Sequence, residues 1–151
     1  MLDPKIQELL DREAIRELVA RYNFAFDSRN VDAYLDCWVE DGFVERRNSK
    51  PSCRGHAQLA ALVKGFPING AHMCTDFIFE IDGDEAKTRH YQLYLDMGPP
   101  CTVSMFGIWN DRLVRTSDGW KFTEKIFDPM TIRDSEVSDD FFAVMKTFER
   151  V

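Results

Sequence analysis

The sequence is poor in the features that mark redox, metal or nucleotide sites. Its four cysteines, Cys37, Cys53, Cys74 and Cys101, form no C-x-x-C pair, and none has a histidine at metal-ligand spacing. In a chain of 151 residues that reads as four reduced thiols in a cytoplasmic protein. Glycine is sparse, at eight residues, and no G-x-G-x-x-G, P-loop or G-x-S-x-G is present, nor H-E-x-x-H. Asp82-Gly83-Asp84-Glu85 is acidic, but it lacks the spacing of a calcium loop and reads as a turn. No metal and no cofactor are expected. No apolar run approaches the length of a membrane span, and the opening MLDPKIQELLDRE lacks the basic and apolar regions of a signal peptide. Cationic clusters are also missing: the densest is Arg46-Arg47, beside Glu45. With a net charge of -7 and a pI of about 4.9, the chain would repel a phosphate backbone or an anionic membrane, so neither is expected as a partner.

What is present is an ordinary globular composition with generous aromatics: 44% hydrophobic, 30% charged and twelve phenylalanines. The aromatics suit a thick core or a pocket for a lipophilic ligand, with core as the default. The length suits one domain. Ile6, Leu9, Leu10, Ile15, Leu18, Val19, Tyr22 and Phe26 fall at three-four spacing, which predicts a helix over 5–26 with Pro4 in its first turn. Asn30 is a candidate N-cap for a short helix, VDAYLDCWV. A short strand FVER, a polar loop over 47–55 and a helix over 56–66 follow. From Gly70 the pattern changes to strands: AHMCTDFIFEID, EAKTRHYQLYLD, CTVSMFGIWNDRLVRT and WKFTEKIFD, with Asp-Gly turns after the first and third. A C-terminal helix capped by Ser138 is expected at the end. Helices followed by hairpin-linked strands mean α+β, and the short turns disfavour a parallel βαβ fold.

Three histidines are available for chemistry. His56 reads as a helix-start side chain and His90 as a sheet residue. His72 opens a strand after the PINGA loop, with Cys74, Asp76 and Ile78 as alternate neighbours, where a general base could be held. Asp27 ends the first helix. It is either a residue that finishes the helix together with Ser28 or a buried carboxylate with a partner, since an unpaired buried charge is too costly. Tyr22, five residues earlier, lies about 140° away around an ideal helix, so the two share no stripe but can flank one pocket.

IRELVARYNFAFDSRNVDAYLDCWVEDGFVE resembles the opening of SnoaL-like proteins, members of the cone-shaped superfamily named for nuclear transport factor two. AHMCTDFIFEIDGDEAKTRHYQLY and WNDRLVRTSDGWKFTEKIF are similar to their later strands, so the resemblance covers roughly residues 5–130. It implies one cone domain over 1–151, with a tail or helix over 131–151. The cone is a curled, mixed but mostly antiparallel sheet around a ligand, closed by helices. Its members include scytalone dehydratase, bile-acid 7α-dehydratase, hexachlorocyclohexane dehydrochlorinase, ketosteroid isomerase, polyketide cyclases and non-catalytic binders.

In the eliminating members, an Asp at the end of the first helix partners a His that opens a strand, and Asp27 and His72 fall on those positions. Tyr22 falls on the tyrosine of the bile-acid enzyme. The second histidine of scytalone dehydratase has no match. The arginine that relatives place after the last strand is replaced by the Asp128 to Met130 region, with Arg133 nearby. The resemblance therefore implies a cofactor-free acid-base lyase, a dehydratase, acting on a small lipophilic ring or a polyketide- or steroid-like substrate. Asp27, His72 and Tyr22 would be catalytic, and Phe26, Tyr94, Phe106 and Trp109 would line the substrate. The alternatives are an isomerase or cyclase with the same base, or a small-molecule binder. Bulky residues on both faces of MFGIW imply a homodimer or homotrimer.

Overall fold

The computed structural model describes residues 2–47, 49–67 and 69–130. The first helix, α1 (Pro4–Asp27), starts where Asp3 accepts a hydrogen bond of 2.8 Å from the Lys5 amide, with Pro4 in the first turn where its missing N–H costs nothing. It ends where the Ser28 hydroxyl donates to the Phe24 carbonyl at 2.6 Å and Arg29 turns left-handed, at φ 59°. Asn30 caps α2 (Val31–Asp36) by accepting from the Ala33 amide. Then come β1 (Trp38–Arg46), β2 (Ser49–Arg54), α3 (Gly55–Gly65), β3 (Gly70–Asp82), β4 (Glu85–Asp96), β5 (Thr102–Thr116) and β6 (Gly119–Pro129). The predicted C-terminal helix lies outside the described residues. Among the described residues no helix is long and apolar enough to cross a membrane.

The six strands form one sheet in the order β2-β1-β6-β5-β4-β3. Every neighbouring pair is antiparallel except β1 with β6, which is parallel, so the sheet is mixed and the fold is an α+β cone. Two expectations are corrected: the short helix read as VDAYLDCWV stops at Asp36, with Trp38 and Val39 already in β1, and the segment read as a polar loop over 47–55 contains β2, which pairs Phe43 with Arg54 and Val44 with Cys53. Its polar composition and Pro51 suit an edge strand, where one row of backbone groups needs no partner.

The inner face follows from alternation along β4, whose Ala86, Thr88, His90, Gln92 and Tyr94 are all buried. Two bulges break that rule. In β3 the register shifts between Thr75 and Ile78, where Asp76 sits at φ 59°. Phe77, Phe79 and Ile81 therefore pack against the core, and Ile78, which strict alternation would bury, is 63% exposed. In β6 a shift beside Phe122 turns Lys125 inward. On β5, Gly107 must lack a side chain: a Cβ there would lie 2.5 Å from the Phe127 ring and 2.4 Å from the Asp128 carbonyl.

The helical layer is tied to the far end of the sheet by one cluster. Asp11 of α1 receives both terminal nitrogens of Arg115, at 2.5 and 2.8 Å, and the Trp120 indole N–H at 3.2 Å. Arg115 also lies over the Trp120 ring and donates to Asp84 in the β3–β4 turn. The Arg115 hydrogen bond, assisted by Trp120, outweighs burial and holds the Asp11 carboxyl below its usual pKa. A depressed folded pKa gives stabilisation that is present above the unfolded value and lost as pH falls through the folded one. Asp11→Asn should therefore cost about 1–3 kcal/mol in urea titrations at neutral pH. The gap to wild type should close as the titrations are moved from about pH 5 to about pH 2.

Candidate active site

Asp27 is the last residue of α1 and His72 the third of β3. Two hydrogen bonds join them. The His72 backbone N–H donates to Asp27 Oδ2 at 2.9 Å, and His72 Nδ1 lies 2.5 Å from Asp27 Oδ1. The first fixes the carboxylate against the strand; the second then fixes the ring. A carboxylate can only accept, so Nδ1 carries the proton, and Nε2 is left with its lone pair as the nitrogen able to take a proton. The imidazole is 1% exposed and the Asp27 side chain 19%. The ring is held edge-on by Phe26 at 5.1 Å and tilted against Tyr94 at 4.5 Å. Phe66 closes the box, 5.0 Å from Phe26 and 5.5 Å from Tyr94, and Arg46 lies over the Phe66 ring. Burial, assisted by the negative charge of Asp27, raises the Tyr94 phenol above its ordinary pKa.

Asp27, His72, Phe26 and Tyr94 are thus brought together. Tyr22 is not beside the dyad. Its ring packs on Tyr34, Trp38 and Phe122, with Phe26 between it and His72, and burial raises its pKa. Trp109 lies with Tyr22 around Lys125. Phe106, expected to line the substrate, points to the opposite face of the sheet and stacks on Tyr91 at 5.7 Å. The reason is alternation: its neighbour Gly107 is the inward position.

A second polar cluster escaped the sequence reading. Asp111 on β5 is fully enclosed, and its Oδ2 accepts from Lys125 Nζ at 2.7 Å, His90 Nε2 at 3.1 Å and Thr88 Oγ1 at 3.3 Å. Lys125 is 0% exposed, and its ammonium sits 4.2 Å from the Phe122 ring centre, 4.7 Å from Trp109 and 4.8 Å from Tyr22. Burial disfavours the Asp111 carboxylate, but the charge of Lys125 and the hydrogen bond from His90 outweigh it, and the pKa is lowered. For His90, burial disfavours the charged ring, yet hydrogen bonds to Asp111 and Cys74 and the charge of Asp111 raise the pKa. The signal for His90 was its place in the polar, inward run Thr88, His90, Gln92. Lys125 carried no such signal, because the β6 bulge is what turns it inward.

On the outer side of the dyad, a cleft of about 230 Å³ runs between α1 and β3. Arg16, Asn23, Asp27, His72 and Cys74 line it, with the 77% exposed Phe24 at its rim. Among the described residues no group of three or more His, Cys, Asp or Glu is placed to hold a metal ion.

Lys125→Met should leave the Asp111 charge enclosed without its main partner and cost about 3–5 kcal/mol in chemical denaturation. Adding Asp111→Asn to that variant should recover part of the loss, which a double-mutant cycle reads directly.

The SnoaL-like domain family matches residues 7–125. The Mycobacterium tuberculosis protein Rv2910c, itself uncharacterised, is 28% identical over 130 residues, covering 80% of this chain and 86% of the relative. Among solved structures, an NTF2-like protein with a cystatin-like fold from Novosphingobium aromaticivorans superposes with a TM-score of 0.77 at 25% identity, over 93% of this chain and 92% of the other. Rv3472 of Mycobacterium tuberculosis, of unknown function, superposes with a TM-score of 0.81 at 21% identity, over 95% and 89% of the two chains. With most of its length matched by the family and its fold shared with these structures, the chain belongs to the SnoaL-like family of NTF2-like cone proteins.

Proposed function

We propose that the chain is an acid-base lyase of the dehydratase type, with His72 as the base and Asp27 as the group that orients it. The observation that carries this reading is the pair of hydrogen bonds between them: the backbone amide of His72 and its Nδ1 both meet one carboxylate, at 2.9 and 2.5 Å. A carboxylate that only finished a helix would have no need of both. Asp27 selects the tautomer in which Nε2 is basic and stabilises the imidazolium that forms when Nε2 accepts a proton. The box of Phe26, Phe66 and Tyr94 keeps water from the ring, which strengthens that pairing.

The reaction is a β-elimination. Nε2 takes a proton from the carbon next to a carbonyl, and the electrons of that C–H bond form the new C=C bond. The C–O bond at the β-carbon breaks, and the leaving oxygen takes the proton held on Nε2 and departs as water, which returns His72 to its starting form. The substrate class is a β-hydroxy carbonyl compound on a small lipophilic ring, in keeping with the aromatic lining.

A panel of cyclic β-hydroxy ketones, followed by the rise of enone absorbance, tests this. His72→Ala and Asp27→Asn should each lose roughly 10²- to 10⁴-fold in kcat/KM, measured at a temperature where circular dichroism shows both variants folded. Full activity in His72→Ala would overturn the mechanism. A rearranged product without loss of water would make the chain an isomerase with the same base.

A further inference from the structure

Alternation sorts the sheet into two faces, and the helices cover the inner one. On β4 the buried run from Ala86 to Tyr94 leaves Lys87, Arg89, Tyr91 and Leu93 pointing outward. On β5, Gly107, Trp109, Asp111 and Leu113 face inward, so Phe106, Ile108, Asn110 and Arg112 face outward. On β6, Lys125 and Phe127 face inward, so Glu124, Ile126 and Asp128 face outward. Beyond its bulge, β3 adds Ile78 and Glu80. A groove of about 480 Å³ crosses this outer face, from Ile78 and Lys87 to Glu124 and Ile126.

The registers set the outward residues in rows. Lys87 pairs with Arg112 and Arg112 with Glu124; Arg89 with Asn110 and Asn110 with Ile126; Tyr91 with Ile108 and Ile108 with Asp128. Leu93 pairs with Phe106, whose carbonyl accepts from the Met130 amide. Across these rows the charge changes sign about β5. Its β4 side carries the cations Lys87 and Arg89, and its β6 side the anions Glu124 and Asp128. Toward the other end the face is apolar, with Tyr91 stacked on Phe106 at 5.7 Å beside Ile108 and Leu93. Ile78, Tyr91 and Met130 are exposed there or at its edge.

The two sides differ in how far they are satisfied. Glu124 forms an ion pair with Arg112 at 3.2 Å, and Asp128 accepts from Arg47 at 2.9 Å and from Asn110 at 2.8 Å. Lys87 and Arg89, both exposed, have no carboxylate within ion-pair distance among the described residues. They are unpaired cations on a chain of net charge -7.

We infer that the outer face is a homodimer interface, in which a second copy of the chain packs on the first about a two-fold axis running along β5. In such an interface every contact is made twice, i to j and j to i. An axis along β5 lays β4 of one copy over β6 of the other. Lys87 then lies over Glu124 of the other copy, and Arg89 over Ile126, one pair along from Asp128. Phe106, Ile108 and Asn110 fall on the axis and meet their own counterparts: two apolar contacts, and an amide pair in which each side chain can donate and accept. Arg112 also falls near the axis, but its guanidinium is drawn aside onto Glu124. An axis along β4 would set Lys87 and Arg89 against themselves, and one along β6 would do the same to Glu124 and Asp128. Like charges facing across an interface are costly, so the charge pattern selects β5. A three-fold ring would need two different patches, whereas this one is complementary to itself. Nothing in the interface depends on the elimination reading.

Sedimentation velocity of the full chain over a dilution series tests this. At about 50 μM, well above the Kd of a standard-sized interface, the wild type should show twice the 17.6 kDa mass of one chain. Ile108→Asp should sediment as a single chain with an unchanged circular dichroism spectrum. Lys87→Glu and Glu124→Lys should each weaken the dimer at least about tenfold, since each sets like charges together twice. Mixed in equal amounts, at a concentration where each alone is monomeric, these two variants should recover the dimer, because each reversed charge then meets its opposite in the other copy. Lys87→Glu alters an exposed side chain and decides should Ile108→Asp fail to fold. A single-chain mass for the wild type, a trimer, a dimer that survives both Ile108→Asp and Lys87→Glu, or a mixture that stays monomeric overturns the proposal.

Discussion

Lys125 carries a positive charge into a region that excludes water, and much of the architecture can be traced from how that charge is compensated. Its ammonium needs a carboxylate, supplied by Asp111 of β5, and electron-rich faces, supplied by Phe122 of β6, Trp109 of β5 and Tyr22 of α1. Asp111 in turn needs further donors, and Thr88 and His90 of β4 provide them. Three neighbouring strands and the long helix therefore meet at one point. A one-residue slip between β5 and β6 would turn Lys125 or Asp111 outward and leave the other enclosed without a partner. The burial of one charge thereby specifies a register that apolar contacts alone would leave looser.

The dyad stands on the frame so fixed. Tyr22 locks one helical turn of α1 against the Lys125 cluster. Five residues on, the same helix delivers the Asp27 carboxylate to the start of β3. The bulge after Cys74 then changes which side of β3 faces inward, so the first part of the strand presents His72 and Cys74 and the rest presents Phe77, Phe79 and Ile81. Phe77 stacks on His90 at 4.5 Å, which holds that imidazole flat beside the sheet. The polar groups near the opening of β3 and the apolar ones beyond it come from a single strand with a shift in its middle.

Elements announced by local chemistry were legible in the sequence. Pro4 in the first turn of α1, the cap at Asn30, the helical period of α1 and the Asp-Gly hairpin turn were all readable, because each signal lies within a few residues of its effect. The strand β2 was not, since a polar edge strand containing proline looks like a loop. Bulges hid the facing of Asp76, Ile78 and Lys125, because strict alternation is the only facing rule a lone sequence offers. Alternation could have placed Phe106 outward had Gly107 been recognised as the inward position. The pairing of Asp27 with His72 was not visible in any periodicity, as the two lie 45 residues apart. It came from the family resemblance, and the site geometry brings the pair into contact. Tyr22, carried over in the same way, proved to belong to the Lys125 cluster.

The parallel pairing of β1 with β6 also constrains how the chain can assemble. β3 to β6 form successive antiparallel neighbours, each closing on the strand just made. The partner that β1 needs, from Trp38 opposite Phe122 to Arg46 opposite Phe127, lies some eighty residues further along the chain. Closing so long a loop carries an entropic cost that local hairpins do not. During synthesis α1, α2 and β1 leave the ribosome well before β6, with Tyr22, Phe26 and Trp38 still lacking the strands that will cover them. The meander can organise itself as it appears, but the first third of the protein stays sticky until β6 has emerged. A nascent chain of this design has a built-in interval in which uncovered apolar side chains favour association over folding.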